Sequence, residues 1–286
     1  MNKLINANFS RLWKSKIFWI GLIVTDIFAV WVLEDKIHFK KISGYQIYSD
    51  DMVFSGTIIL PFVAAVVISI FIGTEYSDGT IRNKLIAGHS RSFIYLANLI
   101  TSTAAVFITY TSYLLIIVCA GIPLVGSFAA PIKILLTNFI INFIALASLC
   151  AILLLLCMLI PNKAIAAVSS LILVIIIFSS TMISVQVLEA PEYYEGYTWL
   201  DEESGMIQQD DKPHKNHKYL PEDSLKRKIL ETWIKISPIG QIYQYGTDPQ
   251  TSLSKGLPPQ FLLYSFAIIT TTLVWGMIQF RHQNLK

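Results

Sequence analysis

The sequence predicts an all-α membrane protein with six transmembrane helices, and three observations support this fold class. Hydrophobic residues are 54% of the 286 residues and charged residues only 14%, against about 25% charged in a soluble domain. The mean hydropathy is +0.57. The apolar residues gather into long runs, and about 20 helical residues cross a bilayer. These runs cover residues 17–33, 52–73, 93–120, 132–160, 164–188 and 261–280, so residues 1–286 are expected to form one transmembrane domain.

Composition also argues against other classes of protein. The net charge of +3 is small and dispersed, which does not favour a nucleic-acid partner. The three cysteines lie inside apolar runs and predict neither a disulfide framework nor a metal cluster. His214 and His217, with Asp210 and Asp211 nearby, are spaced too loosely to predict a metal site.

Residues 1–16 predict an interfacial helix before the first run. At 100° per residue the apolar side chains share one half of the helical wheel and the basic ones share the other. The apolar set is Leu4, Ile5, Phe9, Leu12 and Trp13, and the basic set is Lys3, Arg11 and Lys14. A basic amphipathic helix beside a span lies in the plane of the membrane interface. A plain anchor and a more specific role both fit this pattern.

Asp26 lies midway along the first run. An ionised aspartate at a helix centre costs about 2.5–3.5 kcal/mol, so it usually faces the bundle interior or a polar pathway. We therefore expect Asp26 either to line such a pathway or to bind a partner such as the Asn138 or Asn142 amide. Asn98, Asn138 and Asn142 are further pathway candidates, although asparagines in spans commonly join helices to each other.

The later runs predict irregular spans. Pro61 lies inside the second run, where a kink is expected because proline leaves one carbonyl without its helical partner. The third, fourth and fifth runs are longer than a bilayer requires, which predicts tilted or extended helices.

Residues 74–91, between the second and third runs, predict a short capped helix. A turn at Gly79 and an N-cap at Thr80 would begin a helix over residues 81–87. Gly88 would end that helix, and Ser90 would cap the third span.

This helix is expected to carry a small apolar face. Ile81 and Leu85 lie four residues apart and so share one side of the helix, while Arg82 and Lys84 point elsewhere. Such a helix is suited to docking against a soluble partner. A plain polar connector fits the composition equally well.

Residues 189–259 form one large polar segment whose charges are divided. Eight acids and no Lys or Arg lie in residues 189–211, whereas residues 212–235 hold seven bases and three acids. The acidic half would either attract a cationic ligand or be neutralised by the basic half in a solvated loop. Leu225, Ile229, Trp233 and Ile236 recur at helical spacing before Pro238. They predict an amphipathic helix on the outer surface or dipping back towards the bilayer.

Lysine and arginine placement predicts that both termini are cytoplasmic, because short cytoplasmic segments carry the excess of these residues. In that orientation ten lie inside and four lie in short outside loops, and residues 189–259 are an extracellular loop. The inside set is Lys3, Arg11, Lys14, Lys16, Arg82, Lys84, Arg91, Lys163, Arg281 and Lys286, and the outside set is Lys36, Lys40, Lys41 and Lys133.

Residues 74–91 also contain a dense sequence motif. It reads Glu75-Tyr76, Gly79-Thr80, Arg82-Asn83-Lys84 and Gly88-His89-Ser90-Arg91. This string resembles the cytoplasmic loop of ABC-2-type permeases, the membrane subunits of a class of ABC transporters. Members of that family often carry a lysine early in the third span, where this sequence has Asn98. Ser237-Pro238-Ile239-Gly240-Gln241 is similar to the Pro-x-Gly-Gln stretch before the last span of the family.

The resemblance implies two permease subunits, identical or sister chains, each coupled to a separate ATPase that meets the cytoplasmic helix. The implied coupling residues are Glu75, Gly79, Thr80, Arg82, Asn83, Lys84, Leu85, Gly88 and Arg91. ATP and Mg would belong to the ATPase, since this chain lacks a Gly-x-x-x-x-Gly-Lys-Ser/Thr loop and is not expected to be an enzyme by itself. The polar residues inside the predicted spans, Asp26, Asn98, Asn138 and Asn142, are the candidates for a translocation path, with contacts between helices as the alternative for the asparagines.

The leading hypothesis is therefore an exporter subunit in a bacterial plasma membrane, moving an amphipathic or peptide substrate such as an antimicrobial peptide. One alternative is a sensor or immunity membrane protein that binds its ligand and transports nothing. A polytopic membrane enzyme is less favoured, because no histidine lies in a predicted span and Asp26 is the only acid at depth. The substrate and the choice between homodimer and heterodimer stay open.

Overall fold

The computed structural model describes residues 2–44, 48–53, 55–194, 198–200, 207–209, 213–247 and 258–283. The helices are α1 (Asn2–Lys14), α2 (Lys16–Ser43), α3 (Asp50–Val53), α4 (Leu60–Ser77), α5 (Thr80–Ile86), α6 (Arg91–Ile116), α7 (Ile122–Leu124), α8 (Ile132–Leu159), α9 (Lys163–Leu188), α10 (Leu225–Ile236), α11 (Pro238–Thr247) and α12 (Gln260–His282). A 3₁₀ turn, Ser55–Ile58, precedes α4, and a π-helical turn, Ile117–Gly121, joins α6 to α7. Two short antiparallel pairs follow α9: β1 (Tyr193–Tyr194) with β4 (His214–Lys215), and β2 (Thr198–Leu200) with β3 (Ile207–Gln209).

Six helices in this part of the chain are long and apolar enough to cross a membrane, which confirms the predicted all-α membrane class. They are α2, α4, the continuous stretch Arg91–Leu124, α8, α9 and α12. The first span is longer than predicted because α2 continues to Ser43. At about 1.5 Å per residue, its 28 residues extend well beyond a hydrocarbon core of about 30 Å.

The second span differs from the prediction at its start. Helix α4 begins at Leu60, and Met52 belongs to the separate helix α3. Pro61 therefore lies in the first turn of α4, where its missing N–H breaks no helical hydrogen bond. The predicted kink inside the span is wrong for this reason, and α4 runs on to Ser77.

Helices α4 and α8 form the centre of the bundle. Helix α4 packs against α2, α8 and α9, while α8 also packs against α6, α11 and α12. About two thirds of the most apolar window of each is buried (67% and 61%), compared with 17% for α9 and for α12. The C-terminal end of α4 consequently lies at the middle of one end of the bundle.

That end carries α1, α5 and both ends of the described chain, and we call it the α5 end. Arg11 of α1 contacts Glu75 at the end of α4, and the Tyr76 hydroxyl lies 3.3 Å from the side-chain oxygen of Gln283, just after α12. The opposite end, which we call the distal end, carries α3, the 3₁₀ turn, α10 and α11. An even number of spans returns the chain to the end where it began.

Helix α1 forms where the amphipathic pattern predicts it, but it is packed into the protein. Leu4, Asn8 and Leu12 are buried on one side of α1, which lies against α6. Leu4 and Leu12 belong to the main hydrophobic core. This packing places the polar Asn8 inside the protein as well.

At the distal end, the predicted amphipathic helix is present as α10, and Pro238 begins a further helix, α11. The Ser237 hydroxyl accepts a hydrogen bond from the Gly240 amide at 3.3 Å. The Gln241 side chain donates to the Lys235 carbonyl at 2.9 Å and accepts from Ser265 of α12 at 2.8 Å. These contacts fold α11 back against α10 and α12, and α11 packs on α8.

Candidate functional site at the α5 end

Two glycines set the limits of α5. Gly79, with φ 66°, occupies the N-cap position, and no side chain caps the helix, so the predicted N-cap at Thr80 is wrong. Thr80 is instead the first residue of α5. Gly88 has φ 85° and ends α5 as predicted, because glycine adopts this left-handed conformation at little cost. Ser90 caps α6 by accepting a hydrogen bond from the Phe93 amide, as expected.

The side of α5 that was predicted to face a soluble partner is turned inward, against the protein itself. Ile81 is buried, and Leu85 is half-buried against the protein's own core. Lys84, expected to point elsewhere, is also buried on this side, because residues three and four apart share one face of a helix. The exposed surface consists of Arg82, Asn83 and Ile86, and the Ile86 side chain is 76% exposed.

The end of α4 holds a fully buried carboxylate, Glu75. One of its oxygens, Oε1, is contacted by both the Arg11 guanidinium and the Lys84 ammonium. The other, Oε2, accepts a hydrogen bond from the Asn98 side-chain amide at 2.8 Å. A buried charge is tolerated when it is paired and hydrogen-bonded, and Glu75 meets both conditions.

Asn8 of α1 closes this cluster into a ring of side chains. Its amide donates to the Asn98 oxygen at 2.7 Å, and its oxygen accepts from the Lys84 ammonium at 2.8 Å. The polar ring therefore consists of Asn8, Glu75, Lys84 and Asn98, one residue each from α1, α4, α5 and α6. It joins the two short helices at the α5 end to two spans.

Arg11 of α1 is not a member of the polar ring, but it also binds the end of α4. Besides Glu75, its guanidinium donates to the Phe71 carbonyl of α4 at 2.5 Å. Its central carbon also lies 4.1 Å from the centroid of the Phe71 ring, a distance at which cation and aromatic ring attract.

The charge of Lys84 depends on its neighbour. Burial lowers the pKa of Lys84 from the ordinary lysine value, the Glu75 carboxylate opposes this change, and the nearby Arg11 adds to it. Among the described residues, Glu75 is the acid that pairs with both Arg11 and Lys84.

Asn8 is a site residue that the sequence did not predict, and Asn98 was predicted to line a pathway rather than to lie at the α5 end. The position of Asn8 in the amphipathic pattern of α1 nevertheless indicates that its side chain is buried. It stands midway between Leu4 and Leu12 on the apolar side of α1, where a polar residue requires a buried partner.

Tyr76 and Arg91 connect the α5 end to α8 and to the C-terminal end of α12. The Tyr76 hydroxyl donates to the Met158 carbonyl of α8 at 2.5 Å and approaches Gln283 at 3.3 Å. The Arg91 guanidinium donates to the carbonyls of Phe280 at 2.8 Å and of Gln283 at 2.5 Å. Together with the polar ring, the Glu75-Tyr76 pair contacts α1, α5, α6, α8 and the residue that follows α12.

The polar residues predicted to line a pathway lie on three different spans, α2, α6 and α8. Asp26 of α2 is half-buried and accepts a hydrogen bond from Ser112 of α6 at 2.8 Å, so the expected partners Asn138 and Asn142 are wrong. Asn138 and Asn142 are both buried in α8. Neither amide atom of Asn142 has a hydrogen-bond partner within the described residues. Asn98 lies at the α5 end, in the polar ring.

Comparison with protein families agrees with this architecture. A family model described as an ABC-2 family transporter protein matches residues 4–185, more than half of the chain. The match extends from α1 into α9 and includes every residue of the polar ring. The chain belongs to the ABC-2 transporter family. A search of curated proteins finds no match to the sequence.

Membership makes this ABC-2 permease the transmembrane component of a transporter, in a family that normally works with an ATPase subunit. Its six apolar helices are those of a multi-pass membrane protein. The dense motif of residues 75–91 is therefore part of an ABC-2 membrane domain, and its buried members hold α5 against the spans.

Proposed function

We propose that this chain is the permease subunit of an ABC exporter and that α5 is its coupling helix. The observation that carries this proposal is the polar ring, because Lys84 belongs to α5 while its partners belong to α1, α4 and α6. Buried, charge-assisted hydrogen bonds are short and directional, so a displacement of α5 either moves these helices or breaks the ring. A push on α5 is thereby transmitted to the spans.

The exposed side of α5 is the proposed docking surface for the ATPase. Ile86 projects from it, with Arg82 and Asn83 beside it. Exposed aliphatic side chains of this kind bind in apolar pockets, where a few residues supply most of the affinity. The positive charge of Arg82 favours an acidic rim around that pocket.

The proposed assembly contains two permease chains, identical or sister, and two ATPase subunits that bind ATP and Mg. The single transmembrane domain would lie in a bacterial plasma membrane with both termini and α5 on the cytoplasmic side. The excess of Lys and Arg in the segments at the α5 end supports this orientation. The proposed substrate is an amphipathic molecule or peptide, such as an antimicrobial peptide, moved outward.

Replacing Ile86 with aspartate tests the docking surface. We expect the variant to fold normally, because the side chain is 76% exposed. Its binding to the ATPase should fall by roughly tenfold or more, since loss of one central apolar contact costs about 2 kcal/mol. Co-purification of the two subunits, thermal unfolding of the permease alone and transport in proteoliposomes are the measurements.

Ile86→Val is the matched control, because it keeps an apolar side chain at the same position and should keep both binding and transport. Leu85→Asp is a poorer test, since Leu85 packs against the protein's own core and the variant would also disturb α5. Normal co-purification and transport by a folded Ile86→Asp variant would refute the coupling role of this surface.

Asp26 is proposed to line the translocation path. Asp26→Asn should retain the hydrogen bond from Ser112 and should be as stable as the native protein or more so, because a neutral amide costs less to bury. Export of a cationic substrate and its stimulation of ATP hydrolysis should both decrease. Ser112→Ala is the control, since it removes the hydrogen bond but keeps the charge. Unchanged export by Asp26→Asn would remove this carboxylate from the mechanism.

A further inference from the structure

Two large polar side chains inside the bundle are fully buried without a hydrogen-bond partner among the described residues. They are Tyr110 of α6 and Asn142 of α8, which are 0% and 1% exposed. A serine or threonine hydroxyl can bind a carbonyl of its own helix, but the hydroxyl of a tyrosine lies too far from its own backbone to do so. Leaving a buried polar group unpaired is costly and rare in folded proteins, so both groups require a partner.

The packing of α6 against α8 brings these two residues to the same part of the bundle. The Tyr110 ring stacks on Phe139 of α8, with 5.2 Å between the ring centroids and 18° between the ring planes. Asn142 lies three residues after Phe139 and therefore shares that side of α8. The two helices are antiparallel, because α6 begins and α8 ends at the α5 end.

The direction of helical side chains points the Tyr110 hydroxyl towards the Asn142 amide. Side chains lean towards the N-terminus of their own helix, so Tyr110 leans towards the α5 end, which is also the direction from Phe139 to Asn142. Asn142 leans the opposite way, towards the distal end. The two groups nevertheless form no direct hydrogen bond. One water molecule can bridge polar atoms about 5 Å apart, through two hydrogen bonds of about 2.8 Å each.

We infer that a buried water molecule binds between Tyr110 and Asn142 and joins α6 to α8. The hydroxyl and the amide supply the two or more polar partners that a buried water requires. The occupant is a neutral molecule, because neither group carries a charge that would bind an ion. It is also small, because Val106 and Leu146, one turn from the two polar residues on the same helix faces, are buried as well.

The bridge contributes to the stability of the bundle inside the bilayer. Hydrogen bonds between polar side chains help to hold transmembrane helices together, and a bridging water is nearly as favourable in enthalpy as a direct hydrogen bond. Helix α8 is one of the two central helices, and α6 carries Asn98 of the polar ring. The inference does not depend on the proposed exporter function, and its test requires neither substrate nor ATPase.

Hydroxyl-radical footprinting with short X-ray pulses tests for the water in the full chain in lipid nanodiscs. Radiolysis of a bound water oxidises the side chain that it contacts, so a buried tyrosine reacts where water touches it. Tyr113 is the matched control, because it is also 0% exposed on α6 and its hydroxyl already binds the Gly56 amide and the Met52 carbonyl. Tyr110 should be oxidised severalfold faster than Tyr113. Equal rates overturn the inference.

Asn142→Leu tests the second partner of the water, because leucine has a similar volume and no polar group. The oxidation rate of Tyr110 should fall to nearly that of Tyr113, since the water loses one of its two anchors. Ile141→Leu, an apolar change at the neighbouring buried position of α8, is the control and should leave the rate unchanged. A fast Tyr110 rate that persists in folded Asn142→Leu overturns the bridge. The comparison of the two tyrosines in the native chain decides the presence of the water even where this variant does not fold.

Discussion

Replacing Glu75 with glutamine is expected to destabilise the permease by about 3–5 kcal/mol, the usual cost of breaking a buried ion pair by removing one partner. Glutamine has nearly the same shape and can still accept the hydrogen bond from Asn98. The variant therefore removes the charge and little else. Lys84, which is buried, is left without its counter-charge, while Arg11 is partly exposed and can turn towards water.

Denaturant or thermal unfolding of the purified permease measures this loss. Asp78→Asn is the matched control, because Asp78 is an exposed acid directly after the same helix. Its replacement should change stability by no more than about 0.5 kcal/mol. Equal stability of the two variants would show that the Glu75 charge does not hold the α5 end together.

A second substitution separates charge pairing from a general packing defect. Lys84→Met removes the buried cation, and the double variant with Glu75→Gln should lose less stability than the two single changes added together. This is expected because most of the cost of breaking a buried ion pair comes from the partner charge left alone, and the double variant leaves no buried Lys84 ammonium without its counter-charge. The double variant should still lack coupled ATP hydrolysis, since the hydrogen bonds from α5 to α1 and α4 are gone.

Replacing Gly240 with alanine is expected to destabilise the distal end by about 1–3 kcal/mol or more, the range for overpacking a tight contact. A Cβ atom at Gly240 would lie 2.3 Å from the Ile234 carbonyl oxygen and 2.8 Å from the Ile234 Cα. Both are backbone atoms of α10, so they cannot turn aside as a flexible side chain would. Relief requires α10 and α11 to separate, which would strain the hydrogen bonds of Gln241.

Gly121→Ala provides the comparison, because its added Cβ would meet the Met52 terminal methyl at 2.9 Å. That methyl is the far end of a flexible side chain and can move, so the effect should be within about 0.5 kcal/mol. Thermal unfolding gives the size of each effect, and hydrogen exchange of residues 225–244 locates the first. Similar stability of both variants would contradict the tight α10–α11 turn.

Much of the architecture follows from patterns that lie within a few residues of one another. Long apolar runs predict spans, because about 20 successive apolar residues lower the cost of crossing a bilayer wherever they occur. Gly88 and Ser90 could be assigned to the end of α5 and the start of α6 because a helix end is satisfied by its own neighbours. The start of the second span was misjudged because Pro61 is compatible with either a kink or a first helical turn.

The interior of the candidate site depends on residues that are distant in the chain. Asn8 and Asn98 are separated by 90 positions, and their hydrogen bond exists only because α1 packs against α6. Asp26 and Ser112 are 86 positions apart. The location of an acid in the middle of a span therefore predicts that Asp26 has a polar partner, but it does not identify Ser112 as that partner. No pattern within a single run of residues specifies which helices become neighbours.

The sequence by itself determined the membrane class, the number of spans, the short helix after the second span and, through the motif of residues 75–91, the ABC-2 resemblance that the family match confirms. Only the tertiary structure decided that Leu85 packs inward while Ile86 is exposed, and that Lys84 joins Glu75 in the polar ring. The physical reason is that hydropathy and helix capping act over a few residues. Which face of a short helix is buried depends instead on the helices packed around it.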